Sequence, residues 1–405
     1  MEYVQDRITT LHDLPGSDAP SVDDRLEETA VVVPMTGEEY ERPSTTRILS
    51  TLESLEPAAV VVPVRTPPDA IGRFDAWLST FDLPMTTLWC NAPSVTRLMA
   101  DTEMEGYHGK DHHVKGNDRK DHHVKGNDRK NHHVKGHLGK GHDVWLALGV
   151  ATTEASTVVV HDADVVNYDE RYVRRLLAGI DLGQSFVKGY YARVEHGQLY
   201  GRLFRLFITP LLRALERIHL EENHPIVSYL ASFRYALAGE FAMTDDLARR
   251  IRAPRSWGLE IGVLGDAFAH AGFEGTAQVD LGRHEHDHRP VTGSAGLETM
   301  SRQVGATLFH VLSNHGVVPD FERLTASYLD VGRRLVEQYR SDALFNGYEY
   351  DAFAEAEQLE RYAGAIAPPP ADDRLPSWTE IDLDPRDLLV AGRPERVSGR
   401  RVARD

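Results

Sequence analysis

Thr157-Val158-Val159-Val160-His161-Asp162-Ala163-Asp164 joins a β-branched apolar run to two carboxylates. Such a run reads as a buried strand, and the end of a buried strand is where open α/β sheets place their chemistry. Two carboxylates with one spacer can hold a hard divalent cation, and a cation held there can clamp a nucleotide's diphosphate. Alone the run is ambiguous, because any strand can end in a solvated Asp-x-Asp turn.

Ala30-Val31-Val32-Val33-Pro34 and Ala58-Ala59-Val60-Val61-Val62-Pro63 read as two more buried strands with a helix between them over 45–55, and 86–90 as a third strand. Helices over 142–151 and 169–178 flank the valine run. Alternating strands and helices predict an α/β fold with a mostly parallel sheet and helices on both faces. Further along, 186–194 and 277–281 read as strands, and 203–217, 245–252 and 259–271 as helices. Amphipathic helices come next over 297–312 and 321–339. The domain reading is a loosely held acidic extension over 1–28, a main domain over 29–295, C-terminal helices over 296–366 and a tail over 367–405. That tail, rich in Pro, Asp and Arg, should drape over the surface or stay mobile.

A chain of 405 residues can bury a sizeable core. It has no apolar run near the roughly 20 residues of a membrane span and no basic-then-apolar leader at its N-terminus. One cysteine, Cys90, fits a reducing cytoplasm and reads as a packed thiol rather than a catalytic one. The formal charge is −17, and the basic residues are almost all Arg. Acidic excess with little lysine suits a salt-rich cytoplasm, and it argues against a nucleic-acid partner. In such a chain Lys140 and Lys188 need individual explanations.

Residues 110–138 break the pattern. Lys-Asp-His-His-Val-Lys-Gly-Asn-Asp-Arg stands at 110–119, again at 120–129 and in part at 130–137. This ten-residue period carries too little apolar content for a core and reads as a disordered His-rich insertion. Its paired histidines (His112, His113, His122, His123, His132, His133) lack the fixed geometry of a designed metal site, so adventitious binding is the expectation.

Four further motifs carry chemistry. Gly139-Lys140-Gly141 opens a helix whose N-terminus would favour an anion; its glycines would let the backbone approach a ligand and Lys140 would add charge. Trp257-Gly258-Leu259-Glu260-Ile261-Gly262 sets one carboxylate in apolar surroundings at a helix start, as a ligand group or a helix cap. Gly239-Glu240-Phe241-Ala242 repeats that pattern with the same two readings open. Leu281-Gly282-Arg283-His284-Glu285-His286-Asp287-His288-Arg289-Pro290 could complete a metal site and bind phosphate, or be a polar loop.

Together these motifs resemble the retaining glucosyl-3-phosphoglycerate synthases and related mannosyl enzymes, glycosyltransferases of the GT-A fold. The resemblance runs from about residue 139 to 312 and rests on Gly-Lys-Gly-x-x-x-Trp, His-Asp-Ala-Asp, Val187-Lys188-Gly189-Tyr190-Tyr191, Gly201-Arg202 with Thr209-Pro210-Leu211-Leu212, Ala238-Gly239-Glu240-Phe241-Ala242, Trp257–Gly262, the His286 loop and Met300-Ser301-Arg302-Gln303-Val304. It implies a GT-A catalytic domain over 29–295. Asp164 and His286 would coordinate Mg2+ or Mn2+, with Asp162 near the ribose and diphosphate. Pro34 and Glu38 would begin the nucleotide pocket, Gly139 and Lys140 would meet the donor, and Glu260 would sit under the transferred sugar. Arg202, Gly239, His288 and Arg289 would face a small anionic acceptor such as 3-phosphoglycerate. UDP-glucose is the favoured donor, and retention by front-face attack the implied course.

Two departures bear on the acceptor: Phe204 stands where the family has a small hydroxyl residue, and His288 where an amide is expected. A sugar nucleotidyltransferase shares the sheet and the paired carboxylates, and a His-rich metal-binding protein without activity is the non-enzymatic alternative. The C-terminal helices could mediate a homodimer.

Overall fold

The computed structural model describes residues 4–12, 22–102, 139–195, 197–219, 224–287 and 293–394. The 110–138 repeat, His288, Arg289 and the last eleven residues lie outside the described residues. Ten strands form the sheet: β1 (Thr9–Leu11), β2 (Thr29–Val32), β3 (Met35–Thr36), β4 (Ala59–Arg65), β5 (Met85–Trp89), β6 (Thr157–Val160), β7 (Phe186–Glu195), β8 (Gln198–Leu199), β9 (Phe241–Thr244) and β10 (Thr276–His284). Their order is β1-β10-β7-β9-β6-β2-β4-β3, with β5 also on β4 and β8 on β7. Every pairing is parallel except β8 on β7 and the two made by β9.

The valine runs explain this sheet. Successive side chains point to opposite faces, so an uninterrupted apolar strand needs a covering layer on each side. Ala30, Val32, Val158 and Val160 pack into one core with the helix Lys140–Glu154. Val31, Val33 and Val159 pack into the other with the helices Pro43–Leu55 and Arg171–Asp181. The α/β expectation holds: a mostly parallel sheet between helical layers.

The antiparallel strand β9 positions the site. Parallel neighbours β2, β4, β6, β7 and β10 all end at one edge of the sheet, while β9 starts there. That edge therefore gathers Pro34, Asp162, Glu195 and His284 from strand ends, and Gly239 and Glu240 from a strand beginning. No helix among the described residues is long and apolar enough to cross a membrane.

Two expectations need correction and a third needs refinement. Part of the N-terminal extension is built in: Thr9–Leu11 adds β1 beside β10, with Ile8 and Thr10 buried and Thr10 Oγ1 accepting from Gln278 Nε2 at 3.0 Å. The described part of the tail, up to residue 394, is pinned against the body rather than mobile. Trp378 stacks on Trp145 with ring centroids 4.4 Å apart, each indole N–H donates to a carbonyl of the other segment, and Leu375 and Leu388 are buried. Large aromatic area outweighs the polar composition of that segment. The helix expected over 203–217 is a π-helical turn, Phe204–Ile208, continued by the α-helix Thr209–Ile218. Pro210 has no N–H to give Leu206, and the Tyr328 hydroxyl donates to the freed Leu206 carbonyl at 2.6 Å instead.

Candidate functional site

Asp162-Ala163-Asp164 turns away from the end of β6, and two contacts hold the turn. Thr45 Oγ1, in the first turn of the Pro43–Leu55 helix, donates to the Ala163 carbonyl at 3.1 Å. The Asp287 N–H donates to the Asp164 carbonyl at 2.7 Å, and Val165 and His286 form an antiparallel bridge. Gly282, at φ 80°, lies where the β10–β7 register shifts between Asp280 and Arg283, a bulge that re-aims the segment carrying His286. The consequence is that His286 Nδ1 sits 3.2 Å from Asp164 Oδ1.

His286 is oriented from behind. Its Nε2 meets His284 Nε2 at 2.6 Å, and His284 Nδ1 meets the Tyr172 hydroxyl at 2.9 Å. Tyr191 stacks on the His284 ring at 3.8 Å between centroids. The His284–Tyr172 pair can fix which ring nitrogen of His286 faces Asp164. Of the alternating histidines it is thus His286 that faces Asp164, and His284 stands behind it, where it would support a ligand rather than be one. Burial opposes ionisation of Asp164, but the His286 hydrogen bond and charge, then Lys140 and Arg193, hold its pKa below the ordinary carboxylate range.

On the other side of the turn, Lys140 Nζ lies 2.6 Å from Asp162 Oδ1 and 2.9 Å from Glu260 Oε1. Burial alone would lower the pKa of this ammonium; the two carboxylates outweigh it and raise it above its usual value. Glu260 stands in the first turn of the helix Leu259–His270, where the dipole favours an anion. Burial raises its pKa, yet Lys140 reverses that and keeps Glu260 ionised.

Gly139 and Gly141 act differently from expectation. The N–H groups of Gly139, Gly141 and His142 donate to carbonyls of Arg255 and Ser256, and a Cβ on Gly141 would stand 1.9 Å from the Pro254 carbonyl oxygen. The glycines permit close packing of two protein segments, and the helix N-terminus spends those donors on them rather than on an anion. Gly239, by contrast, faces the site: a Cβ there would meet Asp162 Oδ2 at 2.3 Å.

Pro34 stands just after β2, and Glu38 lies in the 3-10 turn Gly37–Glu39 that the Thr36–Glu39 capping box closes. This turn reaches the Asp164–His286 side through Arg42, which donates to the Glu38 carbonyl and pairs with Asp287 at 3.1 Å. Arg202 lies farther out, beside a cleft of about 520 Å³ lined also by Gln198, Glu349, Asp351 and Glu355. Arg205 takes both Glu355 oxygens at 2.6 and 2.8 Å, which leaves Arg202 only a 3.6 Å approach and a half-exposed guanidinium.

Residues that sequence reasoning did not place here are Arg42, Asp287, Arg193 and Glu195, whose Oε1 accepts from the His286 N–H at 3.2 Å. Asp287 stands inside the His286 loop without being singled out, and nothing local in the sequence marks the other three. Glu240 is fully buried, and burial first, then Asp162, pushes its carboxyl up to about 7 against the opposing His286, Lys140 and Tyr191. It precedes a strand rather than a helix, which removes the capping reading. Lys188, also fully buried, donates to the Ala238 carbonyl at 2.7 Å, and burial pushes it down to about 8. Cys90 is a buried thiol whose pKa burial raises, a packing residue.

A divalent cation fits the Asp164–His286 pair. Two adjacent ligands of one octahedral ion stand about 3 Å apart, close to the spacing seen, and ions of this kind draw their remaining ligands from phosphate and water. Among the described residues no group of three or more His, Cys, Asp or Glu is arranged to hold a metal alone.

No family model matches the chain. It is 30% identical over 413 residues to the glucosyl-3-phosphoglycerate synthase of Methanococcoides burtonii, covering 94% of this chain and 93% of that one. It is 32% identical over 378 residues to the synthase of Persephonella marina, covering 89% and 87%. Among solved structures, the Mycobacterium tuberculosis synthase in complex with Mn2+, uridine diphosphate and phosphoglyceric acid superposes with a TM-score of 0.50 at 23% identity, over 77% of this chain and 88% of that one. The same enzyme with Mg2+ and uridine diphosphate gives 0.51 at 23% identity, over 77% and 88%. These structures share the GT-A fold of this chain. Aligned over nearly its whole length with the first two enzymes, the chain belongs to the glucosyl-3-phosphoglycerate synthase family of glycosyltransferases.

Proposed function

We propose that the protein is a metal-dependent, retaining hexosyltransferase that moves glucose from UDP-glucose to 3-phosphoglycerate. The observation that carries this reading is the Asp164–His286 pair set beside the Lys140–Asp162–Glu260 ion triplet on one turn. The names of the two relatives supply the reaction, and the ligands of the Mycobacterium tuberculosis complexes supply the donor, metal and acceptor chemistry.

Asp164 and His286 would hold Mg2+ or Mn2+, which when bound stabilises negative charge on the departing diphosphate. Asp162, pressed against Gly239, orients toward the donor's ribose. Lys140 holds Asp162 and Glu260 at a fixed spacing, so the donor enters a site whose charges are already placed. Glu260 would face positive charge developing on the sugar. In a retaining front-face course the leaving phosphate oxygen takes the proton of the attacking acceptor hydroxyl, so no side chain has to act as base. The charge of −17 and the scarcity of lysine support a halophilic, cytoplasmic setting, and activity should therefore persist in molar salt.

The test is product identity. With UDP-glucose, 3-phosphoglycerate and Mn2+, the expected products are UDP and glucosyl-3-phosphoglycerate. Release of pyrophosphate from a nucleoside triphosphate and sugar phosphate instead would identify a nucleotidyltransferase.

Arg202 is the proposed acceptor anchor. Because Arg205 already neutralises Glu355, the half-exposed Arg202 guanidinium is held only at 3.6 Å and can take a carboxylate or phosphate. Arg202→Ala should raise KM for the acceptor by about 10- to 100-fold, the weight of one charge-assisted pair. KM for UDP-glucose should stay within about threefold; an equal rise in both would misplace this residue.

A further inference from the structure

Behind the Asp162 turn lies a buried polar group of residues that the proposed chemistry does not use. Continuing the β6–β9 register one step past Val160 and Phe241 sets His161 opposite Glu240. Directly opposed residues of an antiparallel pair hold their Cβ atoms about 5 Å apart on one face. Both side chains are wholly buried. Tyr168 joins them, its ring centroid 5.3 Å from that of His161 and its own surface almost entirely covered.

None of the three side chains makes a well-formed hydrogen bond to a described residue. Both ring nitrogens of His161, both carboxylate oxygens of Glu240 and the Tyr168 hydroxyl are buried without such a bond to any described residue. Tyr191 lies near enough to favour the ionised form of Glu240, but not in hydrogen-bond geometry. Leaving one buried polar atom unsatisfied costs about 1–3 kcal/mol, so five together on neighbouring side chains is not a stable arrangement of protein alone. The chemistry is complementary: Glu240 offers acceptors, His161 one donor and one acceptor, Tyr168 a hydroxyl that does both. Buried water makes about three hydrogen bonds of this mixed kind and is retained where polar groups converge.

We propose that His161, Glu240 and Tyr168 enclose an internal water site that ties the strand end carrying Asp162 to the strand start carrying Gly239. His161 immediately precedes Asp162, and Glu240 comes immediately after Gly239, where a Cβ would run into the Asp162 carboxylate. Water shared between the two side chains fixes that contact from behind. Glu240 is then a positioning residue for the donor site. Its benefit to binding is separable from its cost to folding, because an apolar side chain of similar size would relieve the burial of a polar group.

The link to the donor rests on the glycosyl-transfer reading; the water site does not. A crystal structure of the wild-type protein resolving ordered solvent should show at least one water within hydrogen-bond reach of both Glu240 and His161, and a dry contact there overturns the proposal. Titration calorimetry with Mn2+ and UDP provides the second measurement. Glu240→Leu should keep or raise Tm yet weaken UDP binding about tenfold, while Glu240→Gln, which still bonds water, should stay within about threefold of wild type. Wild-type affinity in a folded Glu240→Leu protein overturns the positioning role. Failure of Glu240→Leu to fold leaves the decision to the solvent structure. Absence of UDP binding in the wild type would instead count against the donor reading and leave the water test standing.

Discussion

Asp164→Ala should weaken metal-dependent UDP binding by roughly 10²–10³-fold and lower turnover by about 10³, the loss expected when a charged ligand of a transition-state-stabilising cation is removed. The geometry makes this a clean experiment. The segment carrying His286 is held by backbone bonds, Asp287 N–H to the Asp164 carbonyl and Val166 N–H to the Glu285 carbonyl, and neither uses the Asp164 side chain. His284 and Glu195 also keep their hold on His286. The imidazole therefore stays in place and only the carboxylate is lost. Because Asp164 and His286 would serve one ion, the double variant Asp164→Ala/His286→Ala should cost little more than either alone, a strong departure from additivity. The folded-state pKa of Asp164 lies below its ordinary value, so its ionised form stabilises the fold above the ordinary carboxylate range and loses that effect as pH falls through the lowered value. At neutral pH the variant should thus lose some stability along with its metal, and stability and binding must be read separately. Calorimetry with Mn2+ and UDP that matches wild type would sink the assignment.

The sequence made the sheet legible because its strands are short apolar runs with nothing else to do. Val31–Val33, Val60–Val62 and Val158–Val160 can satisfy both faces only between two helical layers, and they predict parallel neighbours. β9 was not legible. Phe241–Thr244 is four residues long, and nothing local distinguishes an antiparallel insertion from the start of a helix; the direction of that strand is set by what β6 and β7 leave between them. The same limit governs the site. Asp162, Asp164 and Glu260 carry their own local signals: a strand end and a helix start in apolar surroundings. Arg42 and Asp287 are 245 positions apart, and their pairing exists only once the Gly37–Glu39 turn and the end of β10 share an edge. The Gly-Lys-Gly motif pointed to a lysine that the fold sets between Asp162 and Glu260, while its glycines approach Arg255 and Ser256, since glycine permits close approach without saying to what. Trp378 shows the limit of composition, because one stacked indole pins a segment whose other residues are mostly polar.

Glu260→Gln should lower kcat by about 10²–10³-fold and leave KM for UDP-glucose within about threefold. The substitution keeps the shape and one acceptor oxygen, so the 2.9 Å bond from Lys140 can persist with a neutral partner. Lys140 also retains Asp162 at 2.6 Å, which keeps its ammonium charged and the strand-end turn in place. What disappears is a negative charge, and its absence is felt where positive charge grows. In the bound ground state the sugar is neutral, so a carboxylate there adds little to affinity; as the bond to phosphate lengthens, oxocarbenium character makes the same carboxylate stabilising. Hence the loss falls on kcat. The pH dependence separates this role from general-base catalysis. Lys140 holds the Glu260 pKa below the ordinary glutamate range, so Glu260 is already ionised throughout the neutral region and contributes no titration there. Wild type and Glu260→Gln should therefore show kcat profiles of the same shape near neutrality, displaced vertically. A variant whose kcat equals wild type removes the electrostatic role, and one whose profile gains or loses a neutral limb would make Glu260 a proton carrier instead.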